Sequence, residues 1–166
     1  MSVCVAENSA AWIKIEGRAN FNSSVDLKAL INGLVQKGSR QFVLDLTECV
    51  LMDSTFLGVL AGLGMRFGNP RNGGESASIE LRNPNSRISD LLENLGVSHL
   101  FKITSGPELN ANRLERVESA PGSHDHKEVS RTCLEAHEML MRINPENVAK
   151  FKDVAQFLAE DLKKMD

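Results

Sequence analysis

The sequence predicts an α/β fold: an open, mixed β-sheet layered with helices, followed by a C-terminal helical extension. Over residues 1–104, short apolar runs rich in β-forming residues alternate with stretches of helical periodicity. This alternation is typical of open α/β layers, in which right-handed crossovers join the later parallel strands. Beyond residue 126 only helical periodicity is found, which predicts the extension.

The first half of the layer is predicted from two strands, a helix and a third strand. Residues 3–6 and 11–16 read as strands joined by a turn. Ser23 or Ser24 can cap a helix that runs to about residue 37, and Gly38 closes it because glycine adopts positive φ without strain. Residues 42–46 form a short apolar run, which indicates a strand that is covered on both faces.

The second half alternates in the same way. A helix over residues 55–67 follows the buried strand, and residues 77–81 form another strand that Asn83-Pro84 stops. Asn85 or Ser86 can cap a short helix that ends at Leu95-Gly96. Residues 99–103 are expected to form a last strand at the edge of the sheet.

The chain divides into three parts. Residues 1–104 form the layered domain, residues 105–126 a linker or loosely packed loop rich in Gly, Pro and charge, and residues 127–166 a two-helix extension. Apolar residues at alternating spacings of three and four predict helix-on-helix packing, mainly within the chain, with a homodimer through these helices as the alternative. The two seams are Val129, Cys133, Ala136, Leu140 and Ile143, then Val148, Phe151, Ala155, Leu158, Leu162 and Met165.

Composition excludes several classes of protein. The 166 residues carry a net charge of −3 with no Tyr and one Trp, which argues against nucleic-acid binding. Three widely spaced cysteines without a CxxC pair indicate buried thiols of a reducing compartment. No run is apolar enough to span a membrane, and the N-terminus lacks a signal pattern. We therefore expect a soluble, cytoplasmic protein that needs no cofactor.

The junction of the third strand with the following helix is the candidate site. Ser54 stands where a helix N-cap is expected, since its oxygen could accept from amides of the first turn. A hydroxyl there lies close to the positive end of the helix dipole, where a reversible charge could be placed. A plain cap without further function is the alternative. A serine hydrolase is disfavoured, because no Gly-x-Ser-x-Gly motif surrounds Ser54.

This junction also carries a resemblance to a known family. Asp45-Leu-Thr47, Met52-Asp-Ser-Thr55 and Leu57-Gly-Val-Leu60 resemble the signature of STAS domains, and the chain is most similar to the bacterial anti-sigma-factor antagonists. The resemblance covers about residues 3–103 in element order. It implies a STAS-like fold, and it implies that the chain acts by binding another protein and is not an enzyme.

The resemblance also implies a partner and a site. The partner is an anti-sigma factor that doubles as a serine/threonine kinase, captured while the phosphoacceptor is unmodified, and a phosphatase would reset the switch. The phosphoacceptor falls on Ser54, with Thr55 as the alternative. We expect partner contacts from the helix start and from the loop after the second strand, at Asp53, Ser54, Thr55, Phe56, Asn20, Phe21 and Asn22.

Two departures from the family pattern bear on this site. Phe56 stands where a small residue is common, and its ring either fills a gap beneath the helix or shapes the contact surface. Asn20 replaces a common Asp.

Other functions remain open from the sequence. A constitutive STAS scaffold or adaptor subunit of a signalling or transport complex is the main alternative, and a small-molecule or lipid-binding component is the other. His124-Asp-His126 lacks a third defined metal ligand, so no metal site is expected. His137 lies on a charged helical stretch and is given no role.

Overall fold

A computed structural model of the chain describes residues 1–5, 10–68, 77–107, 115–116 and 125–165. It confirms the predicted α/β class and the C-terminal helices. The elements in chain order are β1 (Ser2–Val5), β2 (Ala10–Lys14), β3 (Gly17–Ala19), α1 (Phe21–Gln36), β4 (Gln41–Asp45), β5 (Cys49–Met52), α2 (Ser54–Gly68), β6 (Ser78–Arg82), α3 (Ser86–Asn94), a 3-10 turn (Ser98–Leu100), β7 (Lys102–Thr104), β8 (Glu115–Arg116), α4 (His126–Ile143) and α5 (Asn147–Met165).

Six strands form one mixed sheet in the order β7-β6-β4-β2-β1-β8. The β2–β4, β4–β6 and β6–β7 pairs are parallel, while β1 runs antiparallel to β2 and β8. Strand β4 therefore lies inside the parallel part, and Phe42 and Leu44 on it are almost completely buried. Alternate side chains of a strand point to opposite faces, so these two residues report on one face only, and Val43 on the other face is half-buried. The prediction of a strand covered on both faces is therefore correct for one face and wrong for the other.

A second, two-stranded parallel sheet was not predicted. It pairs β3 with β5, and Asp53 N–H extends the pairing by donating to the Ala19 carbonyl at 2.9 Å. These strands hold the chain just before α1 beside the chain just before α2. The small sheet thus brings the two predicted contact segments together.

Helix α1 begins earlier than predicted, because Asn20 caps it instead of Ser23 or Ser24. The Asn20 side-chain oxygen accepts from the Asn22 and Ser23 amides, and the Ser23 hydroxyl accepts from Asn20 N–H at 2.9 Å. This reciprocal pair is a capping box. At the other end Gly38 has φ of 100°, as predicted for a residue that closes a helix.

The predicted last edge strand is shorter than expected. Residues Ser98–Leu100 form a 3-10 turn, and only Lys102–Thr104 pair with β6. Within the stretch predicted as a linker, Glu115 and Arg116 pair with β1.

The C-terminal helices form a hairpin that packs on the layered domain. Ala136 and Leu140 of α4 belong to the same buried cluster as the strand residues Ile13, Leu44 and Leu81. Asn147 at the start of α5 is completely buried, and its side-chain amide donates to the carbonyls of Leu95 and Leu140 at 2.9 Å each. The hairpin therefore shares a core with the sheet.

Candidate functional site

The start of α2 is capped by Asp53 and not by Ser54, which corrects the sequence prediction. An Asp53 carboxylate oxygen accepts from Phe56 N–H at 2.8 Å, and the Asp53 carbonyl accepts from Leu57 N–H at 3.1 Å. Both residues are good N-caps, but the one that precedes the first helical residue takes the role. Ser54 is the first residue of the helix, so its hydroxyl does not act as the N-cap.

The Ser54 hydroxyl instead pairs with a histidine from the C-terminal hairpin. Ser54 Oγ lies 2.9 Å from His137 Nε2, and His137 Nδ1 lies 2.6 Å from the Cys133 carbonyl oxygen. A carbonyl can only accept, so Nδ1 carries a proton, and in the neutral ring Nε2 accepts from the Ser54 hydroxyl. The ring of His137 is 6% exposed and lies 5.0 Å from the Phe151 ring.

Helix α4 approaches α2 so closely that their backbones almost touch. A β-carbon added at Gly58 would lie 2.5 Å from the Ala136 carbonyl oxygen and 2.7 Å from the Ala136 β-carbon. Gly58 lies one turn beyond Ser54 on the same helix face. Beside the pair, Thr55 Oγ1 lies 3.6 Å from Cys133 Sγ. The absence of a side chain at position 58 therefore sets the helix separation at which Ser54 meets His137.

Asp53 lies in a less solvated position than its place at a helix start suggests. Burial raises the pKa of Asp53 above its ordinary value of 3.8, while the backbone N–H groups of Phe56 and Phe21 pull the pKa the other way. Desolvation is the largest effect. The carboxylate thus joins the starts of α1 and α2 and adds a negative charge beside Ser54.

Comparisons with known proteins identify the layered domain. A family model described as Mlab, STAS domain, matches residues 4–104, which is more than half of the chain. The chain belongs to the STAS-domain family.

Two solved structures share the fold at low sequence identity. The anti-sigma factor antagonist SpoIIAA in its unphosphorylated form is 14% identical, with a TM-score of 0.53, over 64% of this chain and 87% of SpoIIAA. A candidate anti-sigma factor antagonist from Thermotoga maritima is 18% identical, with a TM-score of 0.53, over 63% of this chain and 85% of that one. The search of curated proteins found no match. Helices long and apolar enough to cross a membrane are absent from the described part of the chain.

The predicted site residues of the STAS domain fall into two groups. Phe21 and Asn22 are exposed, while Asn20, Asp53 and Ser54 are half-buried. Thr55 is 5% exposed and Phe56 is completely buried. The Phe56 ring therefore fills the space beneath α2, and we assign it to the core instead of the partner-contacting surface. Thr55 faces Cys133 across the α2–α4 contact.

Sequence reasoning missed His137, Cys133 and Ala136 as parts of the site. Ala136 and Cys133 were identified only as seam positions, and His137 directly follows Ala136. One signal was available: the glycines at positions 58, 62 and 64, in the interior of α2, indicate close approach by another element. The apolar seam of residues 129–143, with Ala136 at its centre, is the element that meets Gly58 of α2. Nothing in the sequence indicates that these two helices are in contact.

A serine next to a histidine raises the question of catalysis. The Ser54–His137 pair has the spacing of a nucleophile and its base. However, the Asp53 carboxylate accepts from Phe56 N–H and also interacts with Thr55 N–H, the amide directly after Ser54, so the first-turn amides that could stabilise an oxyanion already face a negative charge. The arrangement therefore suits a positioned hydroxyl better than a hydrolytic centre.

The described residues contain no group of three potential metal ligands. Of the suggested His124-Asp-His126 motif, His124 lies outside the described residues, and His126 Nε2 is 3.9 Å from the Asp161 carboxylate.

A cleft of about 190 Å³ opens between α1, α2 and α4. This volume is below the roughly 300–1,000 Å³ usual for ligand pockets. A second cleft of about 330 Å³, between α1 and α4, is lined mostly by polar and charged side chains, so neither cleft favours the small-molecule or lipid alternative. The first cleft is lined by both apolar and polar residues. The lining residues are Lys28, Gly58, Val59, Gly62, Leu63, Arg66, Thr132, Glu135, Ala136 and Met139.

Proposed function

We propose that this STAS domain is an anti-sigma-factor antagonist, a phosphorylation-controlled protein-binding switch of a bacterial cytoplasm. It captures an anti-sigma factor with serine/threonine kinase activity while Ser54 is unphosphorylated. The kinase then modifies Ser54 and ends the capture, and a phosphatase restores it. The observation that carries the proposal is the Ser54 hydroxyl at the first helical residue of α2, beside Asp53 and not used as a helix cap.

The family and its structural neighbours support a protein partner. The STAS family match covers residues 4–104, nearly all of the layered domain, and SpoIIAA, described as an antagonist in an unphosphorylated form, shares the fold. The contact surface in this proposal is the edge where α1 and α2 begin. Phe21 there is 44% exposed, and apolar exposure beside polar Asn20 and Asn22 suits a protein contact.

Electrostatics explains why modification of Ser54 would end capture. A phosphoryl group adds roughly −1.5 to −2 charges and three strong acceptor oxygens. The first-turn amides that would receive such an anion are partly bound by Asp53, and the Asp53 carboxylate repels it. A docked partner would have to strip water from this group without pairing it. Uncompensated charge burial costs several kcal/mol, and about 1.4 kcal/mol is tenfold in affinity.

The test compares one chemical change at two helix starts. Ser54→Asp should reduce capture of the kinase at least tenfold, whereas Ser54→Ala should keep capture on in the presence of ATP. Ser86 provides the matched control, because it is also the first residue of a helix and is exposed. Ser86→Asp should capture as the unmodified protein does. Mass mapping after incubation with the captured kinase and ATP should place phosphate on Ser54 and not on Thr55.

Equal capture by Ser54→Asp and Ser86→Asp, together with no phosphate on Ser54, would count against the switch. Because a carboxylate imitates phosphate incompletely, the mapping and the capture measurements are read together.

One observation favours a second candidate, a constitutive scaffold or adaptor subunit of a signalling or transport complex. The hairpin covers one side of Ser54 and shares the core of the domain, so α2 already holds a permanent helical neighbour. An adaptor would keep its partner after any change at Ser54. It would lose its partner when the exposed face of α5, with Val154 and Phe157, is made charged.

A further inference from the structure

Helix α4 occupies the side of α2 on which the proposed phosphoacceptor lies. The STAS family match ends at residue 104, and the neighbours that share the fold cover 63–64% of the chain. The layer is therefore complete as a fold without the hairpin. The hairpin is an additional element that uses Ser54 as one of its contacts.

We propose that phosphorylation of Ser54 and docking of α4 on α2 exclude each other, so that modification of Ser54 releases the C-terminal hairpin. This inference rests on the proposed function, since it takes Ser54 as the phosphoacceptor. It adds a second consequence to phosphorylation, which is a change in the position of α4 in addition to a change in charge.

The space at Ser54 is the first argument. Only the hydroxyl hydrogen fits in the 2.9 Å between Ser54 Oγ and His137 Nε2. Phosphoryl transfer from ATP joins the γ-phosphorus to Oγ, breaks the bond between that phosphorus and the bridging oxygen of ADP, and releases the hydroxyl proton to solvent. Phosphorus and three oxygens then replace one hydrogen, so the direct hydrogen bond between Ser54 Oγ and His137 Nε2 is lost and the 2.9 Å separation leaves no space for the added group.

The close helix contact is the second argument, because it leaves α4 little room to adjust. One turn from Ser54, the Ala136 backbone lies against Gly58, and a single added β-carbon would already overlap with it. The His137 ring is also held, by the Cys133 carbonyl at 2.6 Å from Nδ1 and by the Phe151 ring at 5.0 Å, so it has little space in which to turn away. Packed helices respond to such an insertion by shifting as units.

Polarity is the third argument. The N-terminal half of α4 buries only Ser130 and Thr132, whereas the C-terminal half buries Ala136 and Leu140 together with His137. Lys28 and Glu135 add an exposed ion pair at 3.3 Å between α1 and α4. Such contacts hold a helix less firmly than apolar packing does. The N-terminal half of α4, which includes Cys133, is therefore held least firmly and should be released first when the His137 contact at its C-terminal side is lost.

Thermodynamic linkage determines the converse effect, which is that of α4 docking on the phosphorylation of Ser54. If a phosphoryl group at position 54 weakens docking of α4 by some factor, docking must disfavour the phosphorylated form by the same factor. A docked hairpin thus protects Ser54, and factors that release it favour modification.

The experiment needs no kinase. Phosphoserine is placed at position 54 by genetic-code expansion in the full chain, and phosphoserine at position 86 serves as the matched control. Cys133 is the probe: it faces Thr55 in the contact and burial raises the pKa of its thiol, so it should react slowly while α4 is docked. The rate of labelling by a maleimide is measured at Cys133 by mass mapping, with amide hydrogen exchange followed in α4 and β4.

We expect phosphoserine at position 54 to raise the Cys133 labelling rate at least tenfold and to remove protection from the α4 amides while β4 stays protected. Phosphoserine at position 86 should leave the rate within about twofold. An unchanged or slower rate with phosphoserine at position 54 would overturn the inference, as would a parallel loss of protection in β4. Neither result bears on the capture experiment, which tests the proposed function separately.

Discussion

Gly58→Ala is the most direct test of the α2–α4 contact, and Gly62→Ala is its matched control. Both positions lie inside the same helix, and alanine favours a helix interior over glycine by about 1 kcal/mol. They differ in what the new methyl group meets. At position 58 it would lie 2.5 Å from the Ala136 carbonyl oxygen, whereas at position 62 its nearest neighbours are Met139 side-chain atoms at 3.7 Å.

The expected difference follows from these distances. A 3.7 Å contact is ordinary, so Gly62→Ala should raise the free energy of unfolding by up to about 1 kcal/mol. An overpacked contact costs about 1–3 kcal/mol, which offsets or exceeds the same propensity gain at position 58. The gain in helix propensity is the same for both variants, so it cancels when their stabilities are compared. Gly58→Ala should therefore be less stable than Gly62→Ala by about 1–3 kcal/mol.

Urea unfolding measures this difference. Circular dichroism reports the helices, and fluorescence of Trp12, the one tryptophan, reports β2. The difference should appear as a lower midpoint for Gly58→Ala at an unchanged slope. Equal stabilities of the two variants within about 0.5 kcal/mol would refute the close contact, because surface changes are typically of that size.

Three further predictions concern the core, the cap and the hydroxyl. Leu140 is 0% exposed, and Leu140→Ala should lower the free energy of unfolding followed by Trp12 fluorescence by about 2–5 kcal/mol. Val154 is 45% exposed, and Val154→Ala should change it by no more than about 0.5 kcal/mol. An unchanged Trp12 transition for Leu140→Ala would show that the hairpin unfolds separately. Burial raises the pKa of Asp53, so ionisation of this carboxylate lowers the stability of the folded protein as the pH rises from 3.8 to the raised pKa. The stability of Asp53→Asn relative to the unmodified protein should therefore rise with pH through that window and then level off. Urea titrations that give the same difference at every pH would contradict this. A fluorophosphonate probe should leave Ser54 unlabelled, since Asp53 binds the nearby amides, and a mass-mapped adduct on Ser54 would overturn the non-catalytic proposal.

Sequence patterns predicted those elements whose periodicity or apolar content is strong. Strand β4 and helices α2, α4 and α5 were found close to their predicted ranges, and Asn85 caps α3 as one of the two residues proposed. Each of these elements depends on interactions between residues that are close in sequence or on the pattern of apolar residues along one face. Both kinds of signal can be found in a single sequence.

The errors arise where two local solutions compete or where an element is short. Asp53 and Ser54 can both cap a helix, and the pairing of Asp53 N–H with Ala19 of the small sheet fixes the position of Asp53 at the cap. Strands β3 and β5 have three and four residues, too few for a periodic signal. The same competition explains why Asn20 caps α1 ahead of Ser23.

His137 was missed for a different reason. Its partner, Ser54, lies 83 positions away, and nothing in the residues around either one indicates the other. Only the docking of α4 on α2 creates the pair. A histidine on a charged helix and a serine at a helix start are each ordinary, so their combination becomes visible only in three dimensions.

Gly58→Ala also separates the two effects that phosphorylation would combine. The added methyl group displaces α4 without placing any charge at Ser54. If charge alone ends capture, Gly58→Ala should capture the kinase as the unmodified protein does, and only Ser54→Asp should fail. If the docked hairpin forms part of the contact surface, as the adaptor alternative requires, Gly58→Ala should lose capture while Gly62→Ala keeps it. The same pair of variants therefore distinguishes an electrostatic switch from an assembly surface built on the hairpin.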